Sequence, residues 1–148
     1  MITVRSEIRP PAPSACRTCP YRGDVPSGVW AEEEYAKLER YDRPTSEQPA
    51  ALWLCHQTDS DSDKRRMCAG WIGCHGGANL LALRIALIEG LISDATFREA
   101  VGYESAVPLF GSGAEAATHG RVDIESPGAD ARRAIEKIVK VRTGIRFG

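Results

Sequence analysis

Two cysteines, Cys16 and Cys19, stand with two residues between them. That gap lets both sulfurs turn toward one point while the amides of the turn hydrogen-bond to them, which is half of a four-thiolate metal site. The other half must come from far along the chain, where Cys55, His56, Cys68, Cys74 and His75 are available. Cys55 and His56 are neighbours in what reads as extended chain, so they point to opposite faces and only one can reach a shared ion. The same constraint applies more loosely to Cys74 and His75 in a glycine-rich turn. Thiolate suits both zinc and iron–sulfur chemistry, so within each pair the cysteine is preferred. Cys68 is preferred over Cys74 because it opens a compact CAGW turn, where Gly70 lets the backbone approach and Trp71 can cover the site.

The expected ligands are therefore Cys16, Cys19, Cys55 and Cys68. His56, Cys74 and His75 stand as alternatives or as groups that hydrogen-bond to a ligand. The expected ion is zinc, which accepts four thiolates in a closed structural site. The alternative is a [4Fe–4S] cluster, also held by four cysteines, with redox or enzymatic activity attached. Five cysteines cannot all pair within one chain, which fits four ligands and one spare thiol.

Other chemistries fit less well. A Cys–His dyad needs imidazole within hydrogen-bond reach of sulfur, and partners adjacent in sequence are poor evidence for that. A thioredoxin-like motif opens a helix after a strand, whereas Cys16 follows a proline-rich arm and Pro20 follows Cys19. Asp59, Asp61 and Asp63 alternate, but without the glycine and distal glutamate of a calcium loop, and they read as solvated loop. From Arg132 onward the chain carries Arg132, Arg133, Lys137, Lys140, Arg142 and Arg146 against Glu136 alone, a local net charge of +5. This stretch reads first as the solvated face of an amphipathic helix. It is also the place where a protein or nucleic-acid partner is expected, with Arg132, Arg133, Lys137 and Lys140 as contacts.

The elements that must position these residues are mostly helical. A chain of 148 residues suits one domain with a real core. Its hydrophobic fraction of 43% and net charge of −1 exclude a strong general attraction to nucleic acid or anionic membrane. The longest apolar stretch, Leu80 to Ile88, is interrupted by Arg84, so no membrane span is expected. The first residues lack the layout of a secretory signal, and the cytoplasm, where thiols stay reduced, is the expected compartment.

Residues 1–15, with Pro10, Pro11 and Pro13, predict an extended arm. Residues 16–148 form a single metal-binding domain, with the metal region over 16–77 and a helical part over 78–148. Ser27 is expected to cap a helix through WAEEEYAKLER, with Glu32, Glu33 and Glu34 in its first turn. Ala51–Cys55 predicts a short buried strand. Ala78–Glu89 predicts a helix with Leu80, Leu83, Leu87 and Ile88 on its buried face, stopped by Gly90. Ser93 caps DATFREAV, and Ser112 with Glu115 forms a capping box for GAEAAT. The last helix is expected to start with Ser126 as cap and Pro127 in the first helical position. Ala134, Ile135, Ile138 and Val139 are its buried stripe and Gly144 is its stop. The expected class is mainly α with a small irregular or short-strand metal region.

The segments CRTCPYRGDVPSGVW, LCHQT, CAGWIGCHGG and VPLFGSGAEAATHG resemble an uncharacterised cysteine-rich family of actinobacteria and their phages. The likeness runs from about Cys16 to the last helix. It implies Cys16, Cys19, Cys55, His56 and Cys68 as the site and carries no activity with it.

Overall fold

Apolar residues recur at helical spacing through most of the chain, and helices dominate the computed structural model, which describes residues 7–55 and 64–143. In chain order the α-helices are α1 (Glu32–Leu38), α2 (Ala69–His75), α3 (Leu81–Ile88), α4 (Asp94–Val101), α5 (Gly113–Arg121) and α6 (Ala129–Thr143). His56, the aspartates at 59, 61 and 63, and Gly144 lie outside the described residues.

Local signals set several helix ends. Ser93 accepts a hydrogen bond from the Thr96 amide at 3.1 Å and starts α4 over the predicted residues. Ser112 accepts from the Glu115 amide at 3.1 Å, and the Glu115 carboxylate reaches back to the Gly111 amide at 3.0 Å. That is a capping box displaced by one residue, and the helix runs on past the predicted segment to Arg121. Gly90, at φ +76, ends α3 as expected. The Leu91 amide donates to Ala86 O at 2.9 Å and the Gly90 amide to Leu87 O at 3.2 Å, the pairing of a Schellman stop.

Other expectations are corrected. Ser27 does not cap α1. Its hydroxyl donates to Gly120 O (3.1 Å) and accepts from the Asp123 amide (2.9 Å), tying the loop before α1 to the far end of α5. Helix α1 begins at Glu32 after Ala31, and a 3-10 turn, Glu39–Asp42, extends it. Helix α3 begins at Leu81, because Gly77–Asn79 form a separate 3-10 turn. Its buried residues are Ala82, Leu83 and Ala86, with Leu80 buried just before it, while Ile88 is 83% exposed. Ala82 and Ala86 are each 1% exposed, and Ala100 of α4, a helix that α3 contacts, is fully buried. Helix α6 starts at Ala129, two residues after Pro127. Its stripe of Ala134, Ile135, Ile138 and Val139 is half-buried, and Ala131 is the fully enclosed member. The CAGW segment is no turn: it is the start of α2, with Cys68 immediately before it.

Strand structure among the described residues is confined to single bridges, Arg9 with Arg66 (parallel), Arg22 with Leu109 and Leu54 with Met67 (both antiparallel). The predicted strand at 51–55 pairs only around Leu54. Ala51 is exposed and Leu52 to Cys55 are half-buried. The bridges nevertheless knit distant segments to the centre. Arg9 donates to Arg65 O (3.0 Å) and accepts from Met67 (3.1 Å), which lays residues 8–9 beside 65–67 and buries Ile8. One principal core holds Tyr21, Tyr35, Leu38, Met67, Trp71, Ile72, Leu80 and Leu83, all at or below 2% exposure. A smaller cluster of Val25, Val29 and Ala131 seats α6, and Trp30 and Phe110 pack against both. The chain is thus a single, mainly helical domain.

Candidate metal centre

The segment from Cys16 to Arg22 is a succession of tight turns. The Cys19 amide donates to Cys16 O (3.0 Å) and the Arg22 amide to Cys19 O (3.0 Å). Two side chains brace it: Arg22, at its end, donates to Ala15 O (2.7 Å), and the Trp30 indole donates to Thr18 O (2.8 Å). Pairing of Tyr21 and Gly23 with residues 108–110 fixes its exit. The turn therefore sits in the core, with Cys19 1% exposed.

Cys68 arrives from the other side. Its amide donates to Trp53 O (2.8 Å), and the Cys55 amide donates to Arg66 O (2.8 Å). In this antiparallel register Cys68 stands opposite Trp53, and Cys55 is its diagonal neighbour on the same face. The sulfurs of Cys19 and Cys68, 49 residues apart in sequence, lie 3.7 Å from each other. Gly70, in the first turn of α2, makes that approach possible. A Cβ there would collide with the Cys19 sulfur and stand 2.8 Å from Tyr21 Cβ. Trp71 beside it is fully buried, stacked edge-on against Tyr41 at 5.4 Å, and its Nε1 has no hydrogen-bond partner among the described residues.

The electrostatics of the pair are those of two acids crowded into a dry place. The Cys68 thiol is held well above its ordinary value by hydrogen bonding with Cys19 first, then by burial, then by the charges of Cys19 and Cys16; the Trp71 amide pulls the other way. A cation between the sulfurs would reverse that balance, because thiolates bound to a metal ionise outright.

Fit to one ion is partial. A tetrahedral zinc with Zn–S of about 2.3 Å sets its ligand sulfurs roughly 3.8 Å apart, the separation seen for Cys19 and Cys68. Cys16 is half-buried with its sulfur 3.6 Å from Thr18 Oγ1, and Cys55 is half-buried. Among the described residues, no three Cys, His, Asp or Glu side chains converge closely enough to hold a metal as placed.

The remaining pair, Cys74 and His75, belongs to a different constellation on the last turn of α2. His75 Nε2 lies 3.1 Å from the Tyr21 hydroxyl, and its Nδ1 faces Asp42 Oδ1 at 3.5 Å. Asp42 is itself fixed: Oδ1 accepts from the Gly113 amide (2.7 Å) and Oδ2 from the Ala114 amide (2.9 Å), at the start of α5. Burial pushes His75 down to about 4, with Asp42 opposing, so the imidazole is neutral at pH 7. Burial, then the charges of Asp42, Glu115 and Cys68, pushes Cys74 up to about 12. Both border a cleft of about 410 Å³ with Tyr41, Thr45 and Ser112. A thiol that keeps its proton at neutral pH, beside an imidazole occupied elsewhere, is poorly suited to nucleophilic chemistry. Sequence reasoning missed Asp42 and Tyr21 as partners of His75. Tyr21 follows the cysteine turn directly, but nothing local marks Asp42.

Arg132, Arg133, Lys137 and Lys140 are all exposed on α6. Arg132 donates to Pro127 O (3.0 Å), and Arg133 pairs with Asp130. None of the helices among the described residues is long and apolar enough to cross a membrane.

No curated protein and no solved structure is significantly similar to the chain. A family model does match, over residues 11–142, and those limits enclose the cysteine turn, α2 and nearly all of α6. The chain belongs to that family, a family of unknown function designated DUF6283.

Proposed function

We propose that this protein binds one metal ion through the thiolates of Cys16, Cys19, Cys55 and Cys68, and that the ion is structural. Zinc is the preferred ion. It would pin the Cys16–Cys19 turn to the Trp53–Cys68 pairing and the start of α2, leaving an outer surface free to meet a partner. The protein is then a binding or regulatory module of the reducing cytoplasm, working through the basic α6 on a protein or nucleic acid. The resemblance to a cysteine-rich family of actinobacteria and phages accords with this reading.

The observation that carries it is the 3.7 Å separation of the Cys19 and Cys68 sulfurs across the fold. That is the ligand spacing of a mononuclear tetrahedral site. The thiolates of a [4Fe–4S] cluster each bind a different iron, and their sulfurs stand further apart, which ranks the cluster second. To complete the set, Cys16 turns about its single side-chain bond toward Cys19, and Cys55 approaches along the face it shares with Cys68.

Elemental analysis of protein purified without oxygen tests the reading. The expected result is a colourless sample with one zinc per chain. Cys19→Ser and Cys68→Ser should lose the metal and much of the stability, while Cys74→Ser keeps both. A brown sample with visible absorbance would replace zinc with the cluster. Metal-free wild type, or full loading in Cys19→Ser, would end the proposal.

A further inference from the structure

The cysteine turn and α6 enclose a cleft of about 370 Å³ that the metal reading does not use. Its cationic side chains are Arg17 and Arg22 from the turn and Arg133 and Lys137 from α6, against Asp24 and Asp130. Both acids are already engaged. Asp24 takes the Arg22 guanidinium at 2.6 Å, and Asp130 pairs with Arg133. Arg17 and Lys137 supply the surplus, a net charge of +2 in a protein whose overall charge is −1. The floor is rigid: Thr18 is 8% exposed, and the Arg22 side chain, 16% exposed, is bound at once to Ala15 O and to Asp24. Along α6, Arg133, Lys137 and Lys140 follow at four- and three-residue intervals, so one helical stripe leads from the cleft outward. The Arg17 fork and the Lys137 ammonium, beside the carboxylate-paired Arg22 and Arg133 on a concave floor, suit the oxygens of a phosphate group.

We propose that this cleft is a phosphate-binding site, shared between the cysteine turn and α6, with the row toward Lys140 receiving the next phosphates of a chain. The proposal deepens the reading of α6 as the working surface by giving it a ligand chemistry and a second wall. It stands whether or not zinc is the ion.

Equilibrium binding of a labelled single-stranded oligothymidylate to the full, metal-loaded chain at two salt concentrations tests it. Inorganic phosphate, a mononucleotide and poly-glutamate serve as competitors. Lys137→Glu and Arg17→Ala should each weaken binding about tenfold, and Lys137→Glu should lower the slope of log K against log salt by about 0.7. Arg98→Glu, on the remote α4, should leave binding as in wild type. Displacement by inorganic phosphate or mononucleotide at similar concentrations to the strand would support the site and assign it to small phosphates. Displacement by the strand alone would support it and assign it to nucleic acid. Equal displacement by poly-glutamate would overturn phosphate as the ligand chemistry. If Arg132→Glu abolishes binding while Lys137→Glu and Arg17→Ala do not, the cleft is wrong although α6 remains a contact surface. No binding of any phosphate ligand by wild type would overturn the cleft. Metal content measured on the same samples keeps these outcomes separate from failure of the metal reading.

Discussion

Acid should destabilise this protein through one imidazole. His75 is buried, its side chain 4% exposed, and it is held neutral with a titration point near 4 against an ordinary 6.5. In the unfolded chain the same imidazole takes a proton as pH falls below about 6.5, while in the folded chain it does not until about 4. Stability from this group is therefore complete above 6.5, is lost progressively between 6.5 and 4, and falls no further below that. At about 1.4 kcal/mol per pH unit the loss amounts to about 3 kcal/mol, a large fraction of a small domain's stability. Urea unfolding followed by tryptophan fluorescence at pH 7, 6, 5 and 4.5 measures it, with His75→Gln as the reference. Glutamine is uncharged throughout and can still meet the Tyr21 hydroxyl. Loss of metal and protonation of carboxylates other than Asp42, which faces the ring, affect both proteins alike, so the difference between their curves reports His75 together with that contact. The wild type should lead at pH 7 and give up about 2.5 kcal/mol of that lead by pH 4.5. Parallel curves would show that the imidazole is not held in its neutral form by burial.

Two further perturbations probe the surroundings of the site. Gly70→Ala, which in an exposed helix would stabilise by about 1 kcal/mol, should instead destabilise by about 1–3 kcal/mol and weaken metal binding, because the new methyl strikes the Cys19 sulfur. Thermal unfolding with and without zinc reads both effects. Asp42→Ala strands the amides of Gly113 and Ala114 and should cost about 1–2 kcal/mol in urea unfolding. It should also lower the His75 titration point further, measured by NMR of the ring, since Asp42 is the group that supports the imidazolium.

Where a helix end is decided by its own residues, it was legible in advance. Ser93, the Ser112–Glu115 pair and Gly90 act within one turn of the helix they bound, and α4 runs over the predicted residues. Where the partner is distant, the local pattern misled. Ser27 has the chemistry of a cap, but its hydroxyl is claimed by Gly120 and Asp123, more than ninety positions away. Helix α2 was illegible because Gly70 and Gly73 are poor helix formers. Tertiary burial of Trp71 and Ile72 sustains it instead. Helical periodicity places Ile88 on the inner face with Leu80, Leu83 and Leu87, whereas Ile88 is 83% exposed and the small side chains Ala82 and Ala86 are enclosed instead. At the candidate site, spacing singles out Cys16 and Cys19, and Cys68 is preferred on a CAGW turn that is in fact the start of α2; the fold nevertheless brings the sulfurs of Cys19 and Cys68 together. It could not supply Asp42, since an aspartate in a polar stretch has no periodicity to betray that it reaches both an imidazole and the start of α5.

The seating of α6 gives this small domain uneven cohesion. The other helices contribute to the principal core, whereas α6 rests on Val25, Val29 and a half-buried stripe of its own. A segment fastened by so few enclosed groups opens at a lower free energy than the body it leaves, and its amides exchange with solvent first. Each such excursion would carry Arg133 and Lys137 away from Arg17 and Arg22, so the cleft exists only while α6 is docked. Anything that bridges the two walls would therefore also quiet the helix, and protection of its amides would report occupancy without any label on the ligand.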